Sequence, residues 1–175
     1  GYIYDRRIVY GLGSLGWEVE VHSLDVSFPQ PTTEALAHAR KILADILDGS
    51  IVVIDGLALG GLSSLLEEES ERLCLVALIH HPVSLETGLD TGRAQLLQAS
   101  ERTALMYIRR VVVTSHWTSR KLNEFGVASD LIRVVTPGVD VLSSGTHRGK
   151  ARMNTVPPAG VRKGSLNLLC VATLI

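Results

Sequence analysis

A repeated order constrains this chain more than any other feature: a short apolar run, then a stretch with helical spacing, several times over. Ser50-Ile-Val-Val-Ile-Asp55 is continuously apolar between polar ends, as are Leu73-Cys-Leu-Val-Ala-Leu-Ile79 and Arg110-Val-Val-Val-Thr114. Runs of this kind fit strands buried on both faces, the situation of a parallel sheet. Between them lie helical patterns, with Leu36, Ala39, Leu43 and Ile46 along one stripe of 33–47 and further patterns over 93–108 and 118–125. Another short strand is predicted at Ile132-Arg-Val-Val135. Strands alternating with helices at this spacing form βαβ units. The predicted fold class is therefore α/β, a Rossmann-like parallel sheet with helices on both faces.

The opening segment contains Gly11-x-Gly13-x-x-Gly16, the spacing of a dinucleotide-binding fingerprint. That fingerprint works only where its glycines follow a strand and open a helix, so that bare backbone N–H groups meet a pyrophosphate. Here the order is reversed. Ile3, Ile8, Val9, Leu12 and Leu15 give helical spacing upstream, and Trp17-Glu-Val-Glu-Val21 alternates like a half-buried strand downstream. The glycines close a helix, with Gly16 suited to the left-handed residue past its end. No nicotinamide or flavin cofactor is expected.

At 175 residues, 46% apolar and 20% charged, the chain can bury a core and suits one domain, or one plus a fragment. Its 17 basic and 18 acidic residues leave a formal charge of −1, which gives no support to nucleic-acid binding. Cys74 and Cys170 sit in apolar strand-like runs without disulfide or zinc spacing, so a reducing, cytoplasmic setting is expected. Residues 1–142 read as one Rossmann-like domain and 143–164, rich in Gly, Ser, Thr and Pro, as a linker. Residues 165–175 then read as the first strand of a truncated second domain. Gly1-Tyr-Ile-Tyr-Asp5 enters a helix with no strand before it, although a doubly wound sheet normally carries its first strand near the centre. Losing that strand exposes apolar edges, so the chain alone is expected to fold poorly.

Ligands of parallel sheets bind beyond the carboxyl ends of the strands. The segments there are Asp55–Gly60, His80–Glu86, Ser115–Trp117 and Thr136–Asp140. His80 can hydrogen-bond a ligand or move a proton near neutral pH, or serve only to brace its loop. His80, His81 and Glu86 together could suggest a metal, but adjacent side chains on an extended chain point to opposite faces, so no metal is expected. Ser115 suits a helix N-cap, and a helix N-terminus at a strand exit is compatible with ligand binding. Thr136-Pro-Gly-Val-Asp140 reads as a turn or a hinge. Gly1 could let the backbone approach a phosphate, with Tyr2, Tyr4, Asp5, Arg6 and Arg7 crowding polar groups around one helix start.

In order, "LGWEVEVHSL", "VALIHHP", "SERTALMYIRRVVVTSHWTSRKLNEFGV", "IRVVTPGVD" and "LNLLCVATLI" resemble the N-terminal domain, and the start of the second, of a family 4 glycosyltransferase with the two-domain GT-B fold. The resemblance covers nearly the whole chain. It implies a domain that holds the acceptor, facing a second domain that binds a nucleotide-diphosphate sugar. Transfer then occurs in the cleft between them, with retention of configuration and without a metal or other cofactor. On that resemblance His80 lies beside the transferred sugar and Gly1 approaches the donor diphosphate. Tyr2, Tyr4, His81, Glu86 and Ser115 line the acceptor side. The implied partners are a nucleotide sugar and a sugar, lipid-linked or small-molecule acceptor, not nucleic acid; lipid-linked acceptors leave peripheral membrane association open. The family's paired glutamates and diphosphate-gripping basic residues belong to the second domain, so this chain alone is expected to transfer no sugar. Two other readings share the fold: a non-catalytic carbohydrate- or lipid-binding module, and a GT-B-type nucleotide-sugar epimerase that needs no acceptor.

Overall fold

The computed structural model describes residues 2–138 and 164–170, with Tyr2 described by its backbone only. Helix α1 (Tyr2–Ser14) ends at Gly16, whose φ of 89° lies in the left-handed region that favours glycine. The Trp17 N–H returns to the Leu12 carbonyl (3.1 Å), and β1 (Glu18–Ser23) follows. The glycine motif thus closes a helix, as its flanking pattern requires. Helix α2 (Thr33–Asp45) starts at Thr32, whose hydroxyl accepts from the Ala35 N–H, and buries Ala35, Ala39 and Leu43.

Strand β2 (Ile51–Asp55) leads through α3 (Gly56–Leu59), a 3-10 turn (Gly60–Leu62) and α4 (Ser63–Glu69) to β3 (Cys74–Ile79). A second 3-10 turn (Val83–Leu85) precedes α5 (Thr91–Leu105). Then come β4 (Arg110–Val113), α6 (His116–Glu124), a third 3-10 turn (Ser129–Leu131), β5 (Ile132–Val134) and β6 (Ser165–Cys170). The six strands form one parallel sheet in the order β1-β6-β2-β3-β4-β5, flanked by helices.

Register separates the two faces of this sheet. Val52, Ile54, Leu75, Ala77, Ile79, Val111 and Val113 share one face and are buried in a core with Leu43 of α2, Leu66 of α4, Ala104 of α5 and Leu122 of α6. The four connections from β1 to β5 all run the same way across the sheet, so right-handed crossovers place α2 through α6 on this face. On the other face Ile51, Val53, Cys74, Val76 and Val112 are only half-buried. That face continues into Asp55 and His80 at the carboxyl ends of β2 and β3, where α1 meets it.

The sequence pattern places 165–175 in a second domain and leaves the sheet without a central strand. The structure differs: β6 lies between β1 and β2, with Val21 and Val53 both paired with Leu168. The edges expected to be bare are therefore paired. A run as apolar as Leu166–Cys170, interrupted only by Asn167, is compatible with any slot buried on both faces, and the sequence could not say which sheet supplies it. The linker residues 143–163, and Val139 and Asp140 of the predicted turn, lie outside the described residues. No described helix is long and apolar enough to cross a membrane.

Candidate functional site

His80 follows the last residue of β3, and three other elements hold it. From α1, the Asp5 carboxylate lies 2.8 Å from Nε2. Also from α1, the Tyr4 ring meets the imidazole edge-on, with centroids 5.3 Å apart and planes at 87°. The Tyr4 hydroxyl donates to the carbonyl of Val135, beyond β5 (2.9 Å). From α6, the Thr118 hydroxyl donates to the His80 carbonyl (3.0 Å). The Thr114 hydroxyl, just past β4, is 3.4 Å from the same oxygen. The chain start, the β3 exit and the β4 exit thus converge at one rim of the sheet.

Asp5 is 5% exposed, which water alone cannot explain for a carboxylate; the His80 imidazole supplies a partner there. Asp55, at the carboxyl end of β2, caps α3 by accepting from the Leu57 N–H (3.1 Å). Burial pushes its carboxyl above the usual aspartate range, and the nearby Asp5 charge adds to that, while the Leu57 N–H and His80 pull the other way. Burial likewise raises the Tyr4 phenol, and Asp5 reinforces it. The arrangement is an imidazole paired with one carboxylate and met edge-on by a phenol, with a second carboxylate at the neighbouring strand end shifted upward by burial. Such a group can hold or pass a proton and can orient a hydroxyl.

Glu101 of α5 holds the loop after His81. It is buried and accepts from the Val83 N–H (2.6 Å), the Ser84 N–H (3.3 Å) and the Ser84 hydroxyl. Burial pushes its carboxyl upward, against the pull of those donors and of His81. Ser115 caps α6, accepting from the Thr118 N–H at 3.0 Å, so its side chain is committed to the helix start.

Of the residues the sequence singled out, Tyr4, His80 and Ser115 meet at this rim. His81 turns the other way and stacks on Trp117, with centroids 5.0 Å apart and planes within 3°. Glu86 is exposed, and its carboxylate has no partner among the described residues. Gly1 and the Tyr2 side chain lie outside the described residues. The sequence names Asp5 only among the polar groups around the helix start and Asp55 only as the start of a strand exit, and it gives no role to Glu101 or Thr118. Asp5 and Glu101 did carry a signal: each is an acid on an otherwise apolar helical stripe, with Val9 and Leu12 in one case and Leu97 and Leu105 in the other.

A cavity of about 680 Å³ lies elsewhere, toward the amino ends of β1 and β6, with Glu18, Glu20, His22, Asp45 and Asn167 in its lining. None of the groups around His80 reaches it. The carboxyl-end rim is the stronger candidate, because parallel sheets bind their ligands there and the polar groups converge there. Among the described residues no cluster of three or more His, Cys, Asp or Glu could hold a metal ion.

Fold and rim together define the class of protein: a Rossmann-like α/β domain with a histidine-centred candidate site at the carboxyl ends of its strands. Comparison with models of known protein families, with curated proteins and with solved structures finds no match.

Proposed function

We propose that this chain is the acceptor-side half of a retaining glycosyltransferase of the two-domain GT-B type, the parent enzyme moving a sugar from a nucleotide-diphosphate donor to an acceptor hydroxyl. One observation carries the reading: His80, at the exit of a central parallel strand, is braced through Asp5, Tyr4 and Thr118 from two helices on different faces of the sheet. Bracing of that kind suits a group that must meet a reacting sugar in one fixed orientation. Correct positioning of acceptor and donor can supply several kcal/mol of a transfer barrier (up to about 7–11 in model reactions). With Nε2 engaged by Asp5, Nδ1 is the ring atom left for a hydroxyl. The helix α6 N-terminus beside it adds a positive partial charge to the same rim. Charge developing on the leaving diphosphate falls to donor-side cations and N–H groups, which this reading assigns to the second domain.

The test is direct. Saturation-transfer NMR with a panel of hexose glycosides should detect binding to the purified chain, and His80→Ala should weaken it about tenfold or more. Because that change also strands the buried Asp5 carboxylate, a thermal melt checks that the variant is folded at the temperature of the measurement. A panel that shows no binding, or binding indifferent to His80, counts against the reading. With radiolabelled nucleotide sugars the chain alone should transfer nothing; turnover would show that no donor-binding half is needed.

A further inference from the structure

The polar groups at the rim fall into two layers. The inner layer is committed: Asp5 to His80, the Tyr4 hydroxyl to Val135, Thr118 to the His80 carbonyl, Ser115 to Thr118, Asp55 to Leu57 and Glu101 to Val83 and Ser84. The outer layer is not. His81 is exposed and Trp117 is 41% exposed, and the two rings are stacked. Yet neither imidazole nitrogen nor the indole N–H makes a hydrogen bond among the described residues. The Lys121 ammonium, 5.9 Å from the Trp117 ring centroid, holds the indole from its own helix while pairing with Glu124.

Stacking fixes both rings without using their polar edges. The stacked pair remains exposed, with His81 accessible beside a Trp117 that is 41% exposed. A flat apolar surface bordered by free N–H groups matches a ligand with an apolar face and a hydroxylated rim. A pyranose ring has that shape, its C–H bonds gathered on one face and its hydroxyls around the edge. We propose that the His81–Trp117 pair is a platform for one pyranose ring of the acceptor, with the indole N–H and an imidazole nitrogen reaching its hydroxyls. The platform rests on the glycosyltransferase reading and extends it, adding Trp117 as an acceptor-contacting residue. The sequence neighbour of His81, His80, belongs to the inner layer and makes its contacts with Asp5 and Tyr4, so the platform would hold a part of the acceptor other than the one that meets the braced imidazole.

The chain has two tryptophans, so Trp17→Phe leaves Trp117 as the single indole emitter. This variant is titrated with methyl glycosides of common hexoses and, separately, with a nucleoside monophosphate. The expected result is a Trp117 emission shift with at least one glycoside, saturating in about the millimolar range. Saturation transfer should be strongest at the C–H protons of one sugar face. Trp117→Ala and His81→Ala should each weaken that glycoside about tenfold or more, and Trp117→Phe, which keeps a ring but loses the indole N–H, should fall between Trp117→Ala and the parent. Emission unmoved by every glycoside, a response to the nucleotide alone, or a glycoside affinity indifferent to His81→Ala would overturn the platform. A glycoside lost in His80→Ala but unaffected by Trp117→Ala sinks the platform and leaves the transferase reading standing. A glycoside held by Trp117 and His81 but indifferent to His80 supports the platform and counts against the reading beneath it.

Discussion

Asp5 and Asp55 show how a few side chains shape this rim. Both are carboxylates of this rim, but Asp5 has the His80 imidazole as a hydrogen-bond partner while Asp55 has only the Leu57 N–H and a weaker favourable charge from His80. The raised Asp55 carboxyl has a consequence for stability. Its folded value lies above the ordinary 3.8, so ionised Asp55 is less favourable in the fold than in the unfolded chain. That contribution to stability is fully present below the ordinary value and is lost as pH rises through the folded one. Asp55→Asn keeps an oxygen for the Leu57 N–H and removes the titration. The variant should be at least as stable as the parent at neutral pH, with a flatter dependence of unfolding free energy across the acid range. Urea denaturation at a series of pH values measures this; a loss of stability at neutral pH would show that the ionised carboxylate is needed. Asp55 stands in the strand-exit segment that the sequence marked, but its proximity to Asp5 joins positions far apart in the chain, and no local pattern encodes that.

At the scale of elements, agreement between pattern and structure is close. The predicted strand at 110–114 is β4 at 110–113, and the predicted helix at 118–125 is α6, starting two residues earlier because Ser115 caps it. Close packing between elements is less legible. A Cβ on Gly61 would come within 2.9 Å of the Phe28 ring and Pro31 and 3.0 Å of the Pro29 carbonyl, where the 25–31 loop crosses the turn before α4. Gly11 lies inside α1 with nothing within 4 Å. Gly61→Ala should therefore destabilise by about 1–3 kcal/mol through overpacking. Gly11→Ala should stabilise by roughly 0.5–1 kcal/mol, because alanine loses less backbone entropy in a helix. Chemical denaturation of the two variants checks both signs; the same sign for both would refute the packing account. In the sequence these glycines look alike, and only the crossing of Phe28, Pro29 and Pro31 over Gly61 tells them apart.

For the molecule as a whole, β6 matters most. It is the central strand that joins β1 to β2, and Leu168 and Leu169 are 4% and 0% exposed. Amides of Leu166–Leu169 should accordingly exchange with solvent as slowly as those of β2, in the slowest group of the protein. Deleting residues 164–175 should leave β1 and β2 with open edges and give an aggregating chain without a cooperative thermal transition. Mass spectrometry after deuterium labelling, with size-exclusion chromatography of the truncated chain, tests both. Fast exchange in 166–169 would remove β6 from the sheet.

The sequence by itself determined the element order and the α/β class, because apolar runs and helical stripes are local consequences of which faces must leave water. It also determined that the glycine motif closes a helix, since that depends only on flanking periodicity. Tertiary structure alone decided that Ser165–Cys170 enters the centre of the sheet, because strand partners are chosen by edges that lie far away in the chain. It alone decided that Asp5 reaches His80 and that Trp117 stacks on His81. Those contacts span α1, β3 and α6, and their energies exist only once the sheet has brought the carboxyl ends of its strands to one rim.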